Sequence, residues 1–290
     1  MKVGIIDIGS NSVRLMLWAD GKTLYKRMMT TRLGDGLNFS RTLNAAAIQR
    51  TVAAIADFKA LAEEGGAEEV FAFATAAVRS SDNPEDFLSV VKAKCGLTVE
   101  VLSGETEAAV GLCGALGNSD GGIIDVGGAS TEVTARSNGK IIYSHSASVG
   151  TVRILDAAGR DMDKIKSFVA DKISEYGECN LSGCNMYAVG GTATRLAHIK
   201  HDLREYRPDV SNGTVMTAKE IHKLAQMLTQ TPVEEIQRNT ICTKSADLIG
   251  GGAELLASVM DKFGIEKITV SESDNLEGYA NYKLSGGGDK

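Results

Sequence analysis

The chain has no apolar run that approaches the roughly 20 residues needed to cross a bilayer, so no membrane partner is expected. It also lacks a secretory pattern. Met1-Lys2-Val3 leads straight into a buried-strand pattern, with no apolar h-region and no cleavage site. Cysteine is sparse: Cys95, Cys113, Cys179, Cys184 and Cys242 are odd in number, and only Cys179 and Cys184 lie close together. No second pair completes a zinc site, so reduced thiols and a cytoplasmic location are expected. Positive charge is in deficit as well. A formal net charge of −6 argues against a nucleic-acid polymer or an anionic membrane as partner. An anionic substrate stays open, provided that a few Arg or Lys side chains or a divalent cation supply positive charge locally. Two nucleotide motifs are missing too. Gly21-Lys22-Thr23 looks like the tail of a P-loop, but Met16 stands where the upstream glycine is needed, and no helix pattern follows. The turn at Gly190 lacks G-x-G-x-x-G spacing.

What is present is a composition of 43% hydrophobic and 23% charged residues over 290 positions, ordinary for a globular protein. That length suits two domains with a core each. Strands are expected over 2–8, 13–18, 23–32, 70–75 and 99–102, then over 123–126, 131–136, 140–147, 186–189 and 267–271. Helices are expected over 44–64, 84–95, 104–116, 150–157, 162–176, 217–229, 233–238, 245–263 and 275–283, with one more after Gly190. The signals are local. Asn44 and Ser103 are N-cap residues, Pro84 sits in a first turn, and Gly65-Gly66 and Gly96 stop helices. Strands and helices interleave, so the class is α/β. The stretch Asn118-Ser119-Asp120-Gly121-Gly122 places a boundary between domains 1–121 and 122–290, and Ser285–Lys290 should be a frayed end.

Two stretches repeat each other: Ile5-Ile6-Asp7-Ile8-Gly9-Ser10-Asn11-Ser12 and Ile123-Ile124-Asp125-Val126-Gly127-Gly128-Ala129-Ser130-Thr131. Each is a β-branched run that carries an aspartate to the end of a strand, followed by a glycine and small polar residues. The glycine permits a sharp turn, in which main-chain N–H groups and a hydroxyl converge on an anion. One such aspartate could simply cap its turn. Two in matching places read as metal or water ligands, and Glu132 should return to the same cluster on the next strand. Glu105 and Glu107 form a second acidic cluster at a strand-to-helix junction. It is either favourable charge in a first helical turn or a site for Mg²⁺ or a general base. Arg79 follows a strand at the end where a phosphate would sit. Arg195, Lys200, Arg204 and Arg207, with His198 and His201, read as a solvated helix face or as a track for a long polyanion.

These residues resemble the exopolyphosphatase / guanosine pentaphosphate phosphohydrolase family of the actin-like ATPase superfamily. The motifs are Asp7-Ile8-Gly9-Ser10-Asn11-Ser12-Val13-Arg14-Leu15, Ala74-Thr75-Ala76-Ala77-Val78-Arg79, Val101-Leu102-Ser103-Gly104-Glu105-Thr106-Glu107-Ala108, Asp125-Val126-Gly127-Gly128-Ala129-Ser130-Thr131-Glu132, Ser148-Val149-Gly150-Thr151-Val152-Arg153 and Gly190-Gly191-Thr192-Ala193. The resemblance implies two ribonuclease-H-like domains flanking a cleft, and Mg²⁺- or Mn²⁺-dependent hydrolysis of a terminal phosphoanhydride. Inorganic polyphosphate or guanosine pentaphosphate would be the substrate, and a homodimer the candidate assembly. By position, Glu107 falls on the family's catalytic base and Arg79 on a phosphate-binding arginine. Asp7, Asp125 and Glu132 fall on its acidic metal- and water-binding set. Ser10, Asn11, Gly127, Gly128 and Ser130 fall on its phosphate-binding turns, joined by Gly190 and Gly191. Three departures stand out. Ala129 replaces a turn glycine, Leu276 stands where the family tends to have an arginine, and the C-terminal helical extension of long members is not expected here. An ATP-dependent kinase or ATPase of the superfamily and a nonenzymatic polyphosphate or alarmone sensor are the readings outside this chemistry.

Overall fold

The structure is a computed structural model that describes residues 1–284, apart from the side chains of residues 38 and 39; the expected frayed end, 285–290, lies outside the described residues. The first unit runs from Met1 to Val110 and takes back the chain from Asn275; the second runs from Gly111 to Asp274. In the first unit the chain order is β1 (Lys2–Ile8), β2 (Ser12–Ala19), β3 (Lys22–Thr30), α1 (Leu37–Ser40), α2 (Ala45–Glu64), β4 (Glu69–Ala74), α3 (Ala76–Arg79), α4 (Pro84–Cys95), β5 (Val99–Val101) and α5 (Gly104–Leu116). The division between units falls inside α5, ahead of the expected boundary at 121–122. The sheet order is β3-β2-β1-β4-β5, antiparallel through the first three strands and parallel through β1, β4 and β5.

In the second unit the order is β6 (Gly121–Val126), β7 (Thr131–Ser137), β8 (Lys140–Ala147), α6 (Thr151–Ala158), α7 (Met162–Ile173), β9 (Met186–Val189), α8 (Gly190–Lys200), α9 (Pro208–Ser211), β10 (Val215–Thr217), α10 (Ala218–Gln230), α11 (Val233–Asn239), α12 (Ile249–Lys262) and β11 (Lys267–Val270), before α13 (Asn275–Leu284) rejoins the first unit. Its sheet order is β10-β11-β9-β6-β7-β8. Again the hairpin strands β6, β7 and β8 are antiparallel, whereas β6, β9 and β11 are parallel. The two sheets repeat one design, with β10 added antiparallel at the edge of the second.

The paired apolar residues in β1 follow from burial on both faces. Ile6 and Ile8 pack with Val13, Leu15 and the apolar stripe of α2, while Val3 and Ile5 pack with Met16, Trp18, Phe73 and Tyr279 of α13. Successive strand residues point to opposite faces, so a sheet covered on both sides needs continuous apolar runs. Asp7 shares its face with Val3 and Ile5. Ile124 and Val126 likewise enter the large core of the second unit, and Ile123 packs on the other side with Leu112 and Val189.

Capping signals held where the side chain reaches its own helix. Asn44 accepts from the N–H groups of Ala46 and Ala47, and Ser103 Oγ accepts from Thr106 N–H. The helix expected over 245–263 begins only at Ile249; the residues before it form a turn, in which Leu248 N–H donates to the Ser245 carbonyl three residues back. The segment expected as helix through 176 changes to a 3-10 turn at Ser174–Tyr176. The short elements α1, α3, α9 and β10 escape a periodicity reading, since a single helical turn or three strand residues barely exceed one period and show no repeat.

Candidate active site

The first unit builds its turn from the β1–β2 hairpin. Gly9 N–H donates to the Ser12 carbonyl at 3.0 Å, closing the turn over Ser10 and Asn11. Gly34 N–H donates to the Ser10 carbonyl at 2.9 Å, and the N–H groups of Thr31 and Arg32 donate to the Asn11 carbonyl at 3.1 and 2.9 Å. Among the described residues no peptide bond is cis. In a trans peptide the carbonyl and the next N–H point in opposite directions. The N–H groups of Asn11 and Ser12 therefore face away from the 31–34 segment, which leaves a donor face on the turn.

Asp7 and Arg14 are direct partners across the hairpin. Arg14 places Nε at 2.9 Å and Nη2 at 2.5 Å from Oδ2 of Asp7, whose residue is only 5% exposed. Arg14 belongs to the first of the sequence motifs. Its signal was available in the hairpin, because a turn centred on Ser10-Asn11 sets position 14 opposite position 7.

Arg79 ends α3, its backbone N–H bonded to the Thr75 carbonyl. Its Nη1 donates to the Leu102 carbonyl at 2.8 Å and to Glu107 Oε2 at 2.7 Å. Glu107 is buried on α5 at 6% exposure, so its carboxylate meets the Arg79 guanidinium in a largely dry place. Glu105 is exposed. Residues two apart on a helix point to nearly opposite sides, so the expected Glu105–Glu107 cluster does not form and Glu107 alone enters this site.

The second unit repeats the turn in detail. Gly127 N–H donates to the Ser130 carbonyl at 3.0 Å, as Gly9 does to Ser12. The first N–H groups of α6 take the turn's carbonyls, with Thr151 donating to Gly127 and Val152 to Gly128, both at 2.9 Å. By the same peptide geometry, the N–H groups of Gly128 and Ala129 face away from α6. The contact is tight. A methyl group built on Gly150 would stand 2.5 Å from the Gly128 carbonyl and 2.7 Å from Ala129 N, so position 150 is glycine for reasons of space. Ala129 is itself buried in the turn.

Asp125, Glu132 and Ser146 form one row across β6, β7 and β8. Ser146 Oγ donates to Glu132 Oε1 at 2.6 Å, and Glu132 is 4% exposed. Tyr176 donates to the Thr131 carbonyl at 2.8 Å; burial, with the Glu132 charge adding to it, holds its phenol well above the usual range. Gly190 closes the site from β9. Its φ of +79° is left-handed, and a Cβ there would lie 2.6 Å from Asp125 Oδ1. Thr192 Oγ1 ties α8 to the Val126 carbonyl at 3.2 Å, and Arg195 folds back so that Nη1 donates to the Gly191 carbonyl at 2.9 Å.

Asp125 and Glu132 are hard oxygen donors on one sheet face, which suits Mg²⁺ or Mn²⁺. Mg²⁺ in particular is often held by one or two carboxylates while it keeps waters and substrate oxygens. Among the described residues no group of three or more His, Cys, Asp or Glu side chains gathers as a metal cage. The five cysteines are free thiols. Several basic residues on and after α8 are committed elsewhere. Lys200 pairs with Glu220 and Arg207 with Asp209, while buried His198 engages Thr194 through Nδ1 and accepts from Arg207 N–H through Nε2. No helix among the described residues is long and apolar enough to cross a membrane.

The chain is 27% identical, over 94% of its length, to the bifunctional 3-dehydroquinate synthase/phosphatase of Fusobacterium nucleatum, of which it spans 45%. It is also 27% identical to exopolyphosphatase 2 of Mycobacterium tuberculosis, over 96% of this chain and 97% of that one. Among solved structures, the Ppx/GppA family member of Aquifex aeolicus superposes with a TM-score of 0.78 at 27% identity, covering 100% of this chain and 99% of the other. The family profile matches residues 18–283, and the chain belongs to the Ppx/GppA phosphatase family.

Proposed function

We propose that the protein is an exopolyphosphatase, releasing phosphate from the end of inorganic polyphosphate by Mg²⁺-dependent hydrolysis of the terminal phosphoanhydride. The observation that carries this reading is the buried Glu107 carboxylate, fixed by Arg79 at a strand-to-helix junction. A carboxylate in that setting serves as a general base towards water, and the guanidinium beside it serves a phosphate oxygen. The donor faces of the Ser10–Asn11 and Gly128–Ala129 turns suit phosphate oxygens. Asp125 and Glu132 would hold Mg²⁺. An ion held by these carboxylates would supply positive charge to offset that of a phosphoryl group. Glu107 orients the attacking water and accepts its proton; Arg79 keeps the carboxylate aimed. Phosphoryl transfer depends mainly on positioning and charge neutralisation. Likeness to exopolyphosphatase 2, over nearly its whole length, supports polyphosphate as the substrate.

The test is phosphate release from polyphosphate by wild type and Glu107→Gln. The substitution keeps the shape and removes the base, so release should fall by about 10²–10⁴-fold. Full activity in that variant would sink the mechanism. Guanosine pentaphosphate, assayed beside polyphosphate, measures which substrate is turned over faster.

A further inference from the structure

We infer that Ser146 is a positioning residue for the divalent cation: its hydroxyl fixes the Glu132 carboxylate in the orientation from which it takes the ion. Glu132 stands in the middle of a row, directly opposite Asp125 on β6 and Ser146 on β8. Partners facing each other across antiparallel strands have Cβ atoms about 4.5–5.5 Å apart, and like charges so placed repel. A glutamate has several side-chain torsions, so the strand ladder fixes where Glu132 begins but not where its carboxylate ends. Ser146 supplies that. Its Oγ donates to Glu132 Oε1 at 2.6 Å, the short distance of a hydroxyl given to an ionised carboxylate. A carboxylate held in place before the ion arrives gives up little freedom on binding it.

The internal repeat separates this hydroxyl from the needs of the backbone. The offset that carries Asp7 onto Asp125 also carries Arg14 onto Glu132 and Met28 onto Ser146, and the strand registers agree. Even the register shift recurs, between Leu17 and Trp18 in the first sheet and between Ala135 and Arg136 in the second. The same strand pairing therefore forms with methionine or serine at this place. Where the middle of the row is an arginine, the third position is a thioether with no hydrogen to donate. Where the middle is a carboxylate, the third position is a hydroxyl that donates to it. The serine follows the acid, not the fold. The inference rests on the reading of Asp125 and Glu132 as the ligands of the hydrolase's cation.

The experiment is a Mn²⁺ titration of the full chain, followed by the electron paramagnetic resonance signal of the free ion, with circular dichroism as the check on folding. Phosphate release from polyphosphate is measured alongside it. Ser146→Ala should bind Mn²⁺ about ten- to a hundredfold more weakly than wild type, the usual cost of losing a partner behind a metal ligand. Ser146→Thr keeps the hydroxyl on a residue suited to a strand, and should restore most of the affinity. Equal Mn²⁺ affinity in wild type and folded Ser146→Ala overturns the inference. So does a folded Ser146→Thr that binds no more tightly than the alanine variant, or a wild type that binds no Mn²⁺. Should Ser146→Ala fail to fold, Ser146→Met, which copies the first sheet, takes its place with the same expected loss. Wild type that releases no phosphate, while its Mn²⁺ affinity depends on the serine, refutes the hydrolase reading alone. Active wild type whose Mn²⁺ affinity ignores the serine refutes the inference alone.

Discussion

At the scale of single residues, the site depends on side chains held by one or two specific atoms. Gly190 shows how little tolerance this leaves. Its left-handed φ of +79° strains any other residue, and its missing Cβ is the space that Asp125 Oδ1 occupies. Gly190→Ala should cost about 1–2 kcal/mol from the backbone conformation alone. It should also push the Asp125 carboxylate off its position. The expected outcome is a lowered thermal midpoint together with weaker Mn²⁺ binding, read from the electron paramagnetic resonance signal of the free ion. A lowered midpoint with unchanged Mn²⁺ affinity would show that Asp125 does not hold the ion.

At the scale of elements, the packing of α10 on α12 contains a charged joint away from the turns. His222 on α10 places Nδ1 at 2.9 Å from Glu254 Oε2 and Nε2 at 2.9 Å from Asp261 Oδ2, both on α12. Both ring nitrogens face carboxylates, so the imidazolium is the form that satisfies both contacts. Burial opposes that charge, but the bonds to Asp261 and Glu254 outweigh it and raise the pKa. A raised folded-state pKa contributes stability that is complete below the unfolded value, near 6.5, and is lost as pH rises through the folded value. His222→Gln should therefore destabilise the protein by about 1 kcal/mol at about pH 6 and by less at about pH 9. Thermal midpoints of wild type and variant across that range measure it; a gap that stays constant or widens with pH contradicts the assignment.

At the scale of the whole molecule, the repeat explains how one chain presents two similar turns with different charges. Each sheet carries its own apolar core, built from residues such as Ile6, Leu15 and Phe58 in the first unit and Ile124, Val133 and Leu256 in the second. Neither core contains the proposed metal-binding carboxylates, so the ion is not needed for folding, unlike the metal of a zinc finger. Removal of divalent cations with EDTA should abolish phosphate release and leave the circular dichroism spectrum unchanged. Restoring Mg²⁺ should restore release. Persistent release in EDTA would exclude a metal-dependent reaction.

Local chemistry made much of this visible in the sequence. Continuous β-branched apolar runs marked the strands, caps and glycines marked helix ends, and the repeated Asp-x-Gly turns marked both hairpins and their aspartates. Arg79 and Glu107 could be singled out because each stands at the end of an element. Folding alone decided which atoms meet. Arg79 and Glu107 are 28 residues apart and join because β4 and β5 are neighbours that run parallel. Rotation about the helix axis separated Glu105 from Glu107. Register across the hairpins paired Asp7 with Arg14 and Asp125 with Glu132, and close packing reserved positions 150 and 190 for glycine. Chain order along an element is a property of the sequence. Partners across elements are set by strand pairing and burial, and the opposite charges of the two hairpins acquire their meaning only there.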